Sequence, residues 1–164
     1  MAQRRNVGMV YLLTHLIEQG YRKKSWHGPN LKGAIRRVTA AQAAWRPGTG
    51  RKCIWEITLH TAYWKYAVRR RLLGEKRGSF ALKGSNWFPL PVERIERSWR
   101  AAMALLDAEH AALLQAVSMQ SEKSLASRTA GSSTTNIDVI TGIAFHDIYH
   151  AGPIQTLKRL CGGG

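Results

Sequence analysis

At 164 residues, 45% of them hydrophobic, the chain fits one domain, residues 1–164, and is long enough to bury a real core. Its apolar residues are dispersed, with no run near the roughly 20 that a membrane span needs, and the two cysteines, Cys53 and Cys161, are too few for a disulfide framework. Twenty-five Lys and Arg against 10 Asp and Glu give a formal charge of +15, which is unusual for a metabolic enzyme.

The N-terminal stretch Met1-Ala2-Gln3-Arg4-Arg5, followed by Val7 to Leu13, faintly imitates a secretion signal. His15 and Glu18 interrupt it too soon and no small-residue cleavage site follows, so it reads as mature protein in the cytoplasm. Val10, Leu13, Leu16 and Ile17 predict a helix over Val7 to Gln19 that stops at Gly20. After the loop Ser25 to Pro29, Asn30 is an N-cap for a second piece reaching about Thr39, with Leu31, Ile35 and Val38 on one side, so the first helix is split. Pro47-Gly48-Thr49-Gly50 is a turn.

A second long helix is predicted from Cys53 to Leu73, with Gly74 at the position that favours a left-handed backbone and arginines at its negative end. His60, Tyr63, Trp64 and Ala67 share one flank of it. The third is expected to start at Pro91, with Glu93 and Glu96 near its positive end, and to run to Ser118, burying Ile95, Trp99, Ala102, Leu106, Leu113 and Val117. The fourth spans Ile137 to Leu160, before a flexible tail Gly162 to Gly164.

Connection lengths suggest how these helices run. The link between the first and second is short, which favours antiparallel neighbours. Glu75 to Leu90, at about 3.3 Å per residue, can reach roughly 50 Å and so return along a helix of about 30 Å. The serine- and threonine-rich stretch Met119 to Asn136 is a second long connection, partly mobile or closing over one end. The expected fold is all-α: a four-helix bundle in up-down-down-up order, with a split first helix and long second-to-third and third-to-fourth connections.

The chemistry-bearing residues are His60 and the pair His146 and His150 in Ala144-Phe145-His146-Asp147-Ile148-Tyr149-His150. Four residues apart on a helix, the pair lies one turn apart on one face. With a third imidazole from a facing helix they can hold a divalent metal and leave a coordination position open. The spacing alone leaves ordinary structural histidines as the other reading. Asp147 stands where a metalloprotease of the His-Glu pattern carries its glutamate, and its shorter carboxylate reaches less far, so a protease is set aside. Asp147 can instead orient His150 as a hydrogen-bond acceptor. His60 lies between Leu59 and Ala62 seven residues into its helix, where an unpaired ring would cost about 1–3 kcal/mol that a metal bond removes.

Trp55-Glu56-Ile57-Thr58-Leu59-His60-Thr61-Ala62-Tyr63-Trp64, the His146 to Gly152 run and the ending Ile154 to Leu160 closely resemble the DinB-like family. Ser25 to Pro29 and Ala43 to Pro47 share the resemblance, which covers nearly the whole chain. It implies an up-down-down-up bundle, a homodimer, and His60, His146 and His150 as ligands of one divalent metal. Related branches include metal-dependent S-transferases that use low-molecular-weight thiols such as bacillithiol or mycothiol. One departure is Pro153, where the family commonly has glutamine. Proline there removes a bond to the Tyr149 carbonyl and costs about 3 kcal/mol unless the helix kinks, which would alter the geometry at His150.

Three other residues are placed near this site. Glu56, one turn before His60, is a surface group or an orienting one. Trp64, one turn after it, is core or a platform for substrate. His27 falls at a depth within roughly 7 Å of His60, close enough for a shared pocket, or else caps a loop. His15 and His110 lack convergent partners and are assigned nothing. Imidazole ligands suit zinc, nickel, iron or copper. The expected function is metal-dependent transfer of a small thiol to an electrophile. Metal-assisted hydrolysis is one alternative. The other is a polyanion-binding protein, since basic clusters at Arg22-Lys23-Lys24, Arg36-Arg37, Arg51-Lys52, Arg69-Arg70-Arg71 and Lys76-Arg77 attract polyanions. Nucleic acid as a partner has no motif behind it, and the charge equally serves solvation.

Overall fold

The computed structural model describes residues 8–129 and 132–162. Among them are seven helices and no strand: α1 Met9–Tyr21, α2 Leu31–Ile35, α3 Ala40–Ala44, α4 Ile54–Leu73, α5 Glu96–Ser118, α6 Glu122–Ala126 and α7 Asn136–Cys161. The four long ones, α1, α4, α5 and α7, form a bundle in which α4 packs on α5 and α7, and α1 on α7 and α5. No helix of the described residues is long and apolar enough to cross a membrane. The expected start at Val7 and the tail residues Gly163 and Gly164 lie outside the described residues; Gly162 is the C-cap of α7.

Local sequence explains most boundaries. The Asn30 side chain accepts from the Gly33 amide at 2.8 Å and starts α2. Thr39 and Gln42 form a reciprocal cap on α3, so the piece expected from Asn30 to Thr39 ends at Ile35 and helix resumes at Ala40. Gly74 has φ 68° and closes α4 where expected. Two boundaries differ. α1 passes through Gly20 to Tyr21, because this glycine serves close approach and does not end the helix: a Cβ there would stand 2.7 Å from the Ala144 carbonyl oxygen of α7. α5 begins at Glu96 and not Pro91. Val92 is fully exposed and Ile95 half-exposed, so the preceding turn has no apolar face to bury, while the Glu96 carboxylate fixes the start by accepting from the Ala40 amide at 2.6 Å.

Both long connections are packed over their described residues. In the first, the Gly78 and Ser79 amides donate to the Tyr66 hydroxyl at 3.2 Å, and Phe80 and Phe88 lie against Tyr63, so the segment runs along α4. The second contains α6, whose buried Leu125 joins Leu113, Val117 and Ile140 at one end of the bundle.

Two apolar clusters fill the bundle. One gathers Tyr21, Trp55, Ala62, Trp99, Leu106, Ala151 and Ile154; the other Ile17, Val68, Leu113, Val117, Ile140 and Ala144. Each long helix places a buried polar residue between its contributions to the two: Glu18 on α1, Lys65 on α4, His110 on α5 and Asp147 on α7. A polar waist therefore separates two apolar halves.

Gly20→Ala should destabilise the protein by about 1–3 kcal/mol even though alanine is the better helix former, because the added methyl must push α1 off α7. Urea unfolding measures this, and an unchanged midpoint would show that the two backbones are not in contact there.

Candidate metal centre

α4 and α7 bring His60, His146 and His150 together. Their ligand atoms all lie within 4.8 Å of one another. His60 Nε2 is 3.1 Å from His146 Nε2, which is 3.2 Å from His150 Nε2. Four ligands at 2.0–2.1 Å around zinc stand about 3.4 Å apart, so these two edges are nearly those of a coordination shell.

Counting protons decides what such a cluster can hold. His60 Nδ1 is 2.9 Å from the Asn86 carbonyl oxygen, which only accepts, so Nδ1 carries the hydrogen and Nε2 presents a lone pair. A hydrogen on His146 Nε2 would then have to serve both short contacts, and one on His150 Nε2 instead would leave two lone pairs facing each other at 3.1 Å. Hydrogen bonds alone leave the trio unsatisfied. Three lone pairs converging on a cation account for all of the short edges, so the residues present fit a divalent ion.

The long connection supplies the support that sequence reasoning missed. Asn86 has φ 63°, a left-handed conformation asparagine tolerates. Its backbone oxygen takes His60, and its side-chain oxygen accepts from Trp64 Nε1 at 2.9 Å. Trp87 stacks on His60, with ring centroids 3.9 Å apart and planes 10° apart, and Lys52 Nζ lies 4.8 Å from the Trp87 ring. The signal was the run Ser85-Asn86-Trp87-Phe88-Pro89, two adjacent aromatics beside an asparagine in a connection that begins polar.

A family model described as the DinB superfamily matches residues 25–154. The chain belongs to the DinB superfamily. No curated protein and no solved structure matches it at a significant level.

Within this DinB-superfamily chain the other expected site residues take different places. Trp64 is half-buried at the cluster, its ring centroid 6.3 Å from those of His60 and His146. Asp147 is fully buried but is bound by Lys65 Nζ of α4, so it does not orient His150, and its Oδ1 has no partner. Glu56 is buried and works at the start of α4, accepting from the Cys53 amide at 3.0 Å and pairing with Arg46 and Lys52. His27 is exposed in its loop and is not brought to the histidines. Pro153 sits inside α7 without ending it: both Pro153 and Tyr149 are exposed, so the bond that proline removes falls on the solvent side and His150 keeps its place. Cys53 and Cys161 are free, and burial pushes the Cys53 thiol up.

Burial sets the electrostatics. It lowers His60, and it takes His146 to about 3 and His150 to about 4, with the neighbouring rings adding to the effect. His110, unassigned in the sequence, is fully buried with no partner on either nitrogen, its ring 4.0 Å from that of Tyr21; burial takes it to about 2. These rings are neutral in the fold, the form that binds a metal. Burial likewise pushes the Lys65 ammonium down and the Asp147 carboxyl up, and each charge opposes the shift of the other.

Two outcomes follow for the metal-free protein. Unfolded histidines titrate near 6.5, so between that value and about 4 the unfolded chain binds more protons than the folded one. Stability should be complete above pH 6.5 and decline toward pH 4; urea midpoints that stay level or rise over this window would show rings that are not held neutral. Lys65→Met should cost about 3–5 kcal/mol by stranding Asp147, and Lys65→Met with Asp147→Leu should recover most of it. Equal stability of the single and double variants would remove the pair from the core.

Proposed function

We propose that this protein holds one divalent ion on His60, His146 and His150 and catalyses transfer of a low-molecular-weight thiol to an electrophile. The single observation behind the reading is the convergence of three Nε2 atoms whose two short contacts protons could satisfy only by sharing one hydrogen. When bound, a divalent ion keeps its positive charge among neutral imidazoles and, as a Lewis acid, favours the thiolate form of a thiol that reaches it. Zinc, nickel and iron all suit such a set.

The chain's own residues have separable tasks. Asn86 holds His60 in one tautomer and one orientation. Trp87 covers one face of that ring and keeps water from it. A groove of about 920 Å³ runs past Ile57, three residues before His60, and past Gly152 and Pro153, just after His150. Arg51, Lys52 and Arg159 line it, which suits a thiol whose carrier is anionic.

The up-down-down-up order belongs to the same reading. It is supported by the company residues keep: Trp55 and Trp99, early in α4 and α5, share a cluster with Tyr21, at the end of α1, and Ile154, late in α7. Val68 and Val117, late in theirs, share the other with Leu13 and Ile140. A homodimer is also part of the proposal. Tyr11, Leu12 and Leu16 on α1 and Phe145 and Tyr149 on the adjacent α7 are exposed, a set that favours self-association.

Metal analysis of the dialysed protein should give near one ion per chain, and His60→Ala should fall to background with its helical content intact; unchanged stoichiometry in that variant would refute the site. Electrophile consumption assayed with thiol and with water alone as acceptor tests the reaction. Turnover that requires thiol is expected, and thiol-independent turnover would assign hydrolysis instead.

A further inference from the structure

Part of the basic surface lies away from the histidines. Lys24, Arg36, Arg37 and Arg100 line a second groove of about 1050 Å³, between the α1–α2 connection with α2 on one side and α5 on the other. No ion pair among the described residues involves these four, whereas Arg22 and Lys32 beside them are taken by Glu18 and Asp107. Beneath the charges the lining is apolar, with Met103 half-buried and Ile35, Val38 and Leu106 buried. The floor is pinned: Trp99 Nε1 donates to the Val38 carbonyl at 2.8 Å.

The arginine pair is built in at a cost to the backbone. Arg37 follows the C-cap of α2 with φ 63°, where glycine is the favoured residue and an arginine carries strain. Lys158 of α7 donates to the Arg36 carbonyl and holds the turn in place. A strained side chain kept where a smaller residue would be more stable points to a use for its guanidinium. Nucleic acid fits poorly, because the two aromatics that line the groove, Tyr21 and Trp99, have 1% and 0% exposure and offer no face for a base.

We propose that the α2–α5 groove binds a small amphipathic organic anion, its carboxylate or phosphate met by Arg36, Arg37 and Arg100 and its apolar body lying along Met103 and Ala104. Calorimetric titration of the full chain with decanoate, decyl phosphate and decanol at about 150 mM salt tests this, since diffuse surface charge is largely screened there. Either anion or both should bind at least about tenfold more tightly than decanol, the difference in headgroup affinity naming the preferred acid. Arg36→Ala with Arg100→Ala should weaken anion binding about tenfold or more, and Arg36→Lys with Arg100→Lys should retain most of it. Lys123→Ala with Arg128→Ala, on exposed positions elsewhere, should change nothing, and His60→Ala should also leave binding intact, which separates this groove from the metal centre. The proposal is overturned if neither anion binds, if decanol binds as well, or if the distant pair of substitutions weakens binding equally. Tight binding of a single-stranded oligonucleotide at that salt, lost in the Arg36 and Arg100 variant and unaffected by decanoate, would overturn it in favour of nucleic acid.

Discussion

The contact between Lys65 and Asp147 constrains everything around it. Both side chains are fully buried between two apolar clusters, where an ion pair adds little net stability but a lone charge is heavily penalised. A slip of α4 along α7 by one turn, about 5.4 Å, would strand both. Such a pair works as a register pin more than as glue. Asp147 is the neighbour of His146 in the chain, and Lys65 lies little more than one turn from His60, so fixing the pair also fixes which imidazoles face each other.

Once register is set, the site needs a wall that two helices cannot supply. The connection after α4 provides it by running back along that helix, tied at the Tyr66 hydroxyl and again at Phe80 and Phe88. Asn86 then serves two indispensable partners at once, the His60 ring through its backbone oxygen and the Trp64 indole through its side chain. Its left-handed backbone is what aims both acceptors toward α4. A ring held this way loses little further freedom when it takes a ligand, which is the physical content of a preformed site.

Much of this was legible in the sequence, and the rest was hidden for identifiable reasons. Periodicity and terminal residues located α4 and α7 to within a residue, and the His146 to His150 spacing gave the pair, because helical geometry is local; that His60, 86 positions from His146, completes the set was implied by the family resemblance. Gly20 was misread since a glycine that ends a helix and one that admits a neighbouring backbone look alike until the neighbour is known. Pro91 suggested a helix start by local rule, yet no apolar face followed it for the bundle to bury. Asp147 was assigned to His150, three residues on along its own helix, whereas a lysine on another helix claims it. Asn86 lies 26 positions from His60, and no local pattern connects a loop carbonyl to a ring that far away.

The strong positive charge poses an apparent conflict with a site for a cation. Distance and pairing resolve it. Charges on the surface are screened over about 8–10 Å of salt solution, while the nearest buried charge, Lys65, is paired with Asp147 and adds only the last of the effects that lower His146. Lys52 is close enough to hold His60 further toward its neutral form, and it is itself paired with Glu56. The surplus cations therefore act outward, on whatever approaches, and act inward mainly by keeping the imidazoles unprotonated. A neutral, preformed trio of lone pairs inside a cationic shell keeps the form that could hold a metal ion at moderately acidic pH.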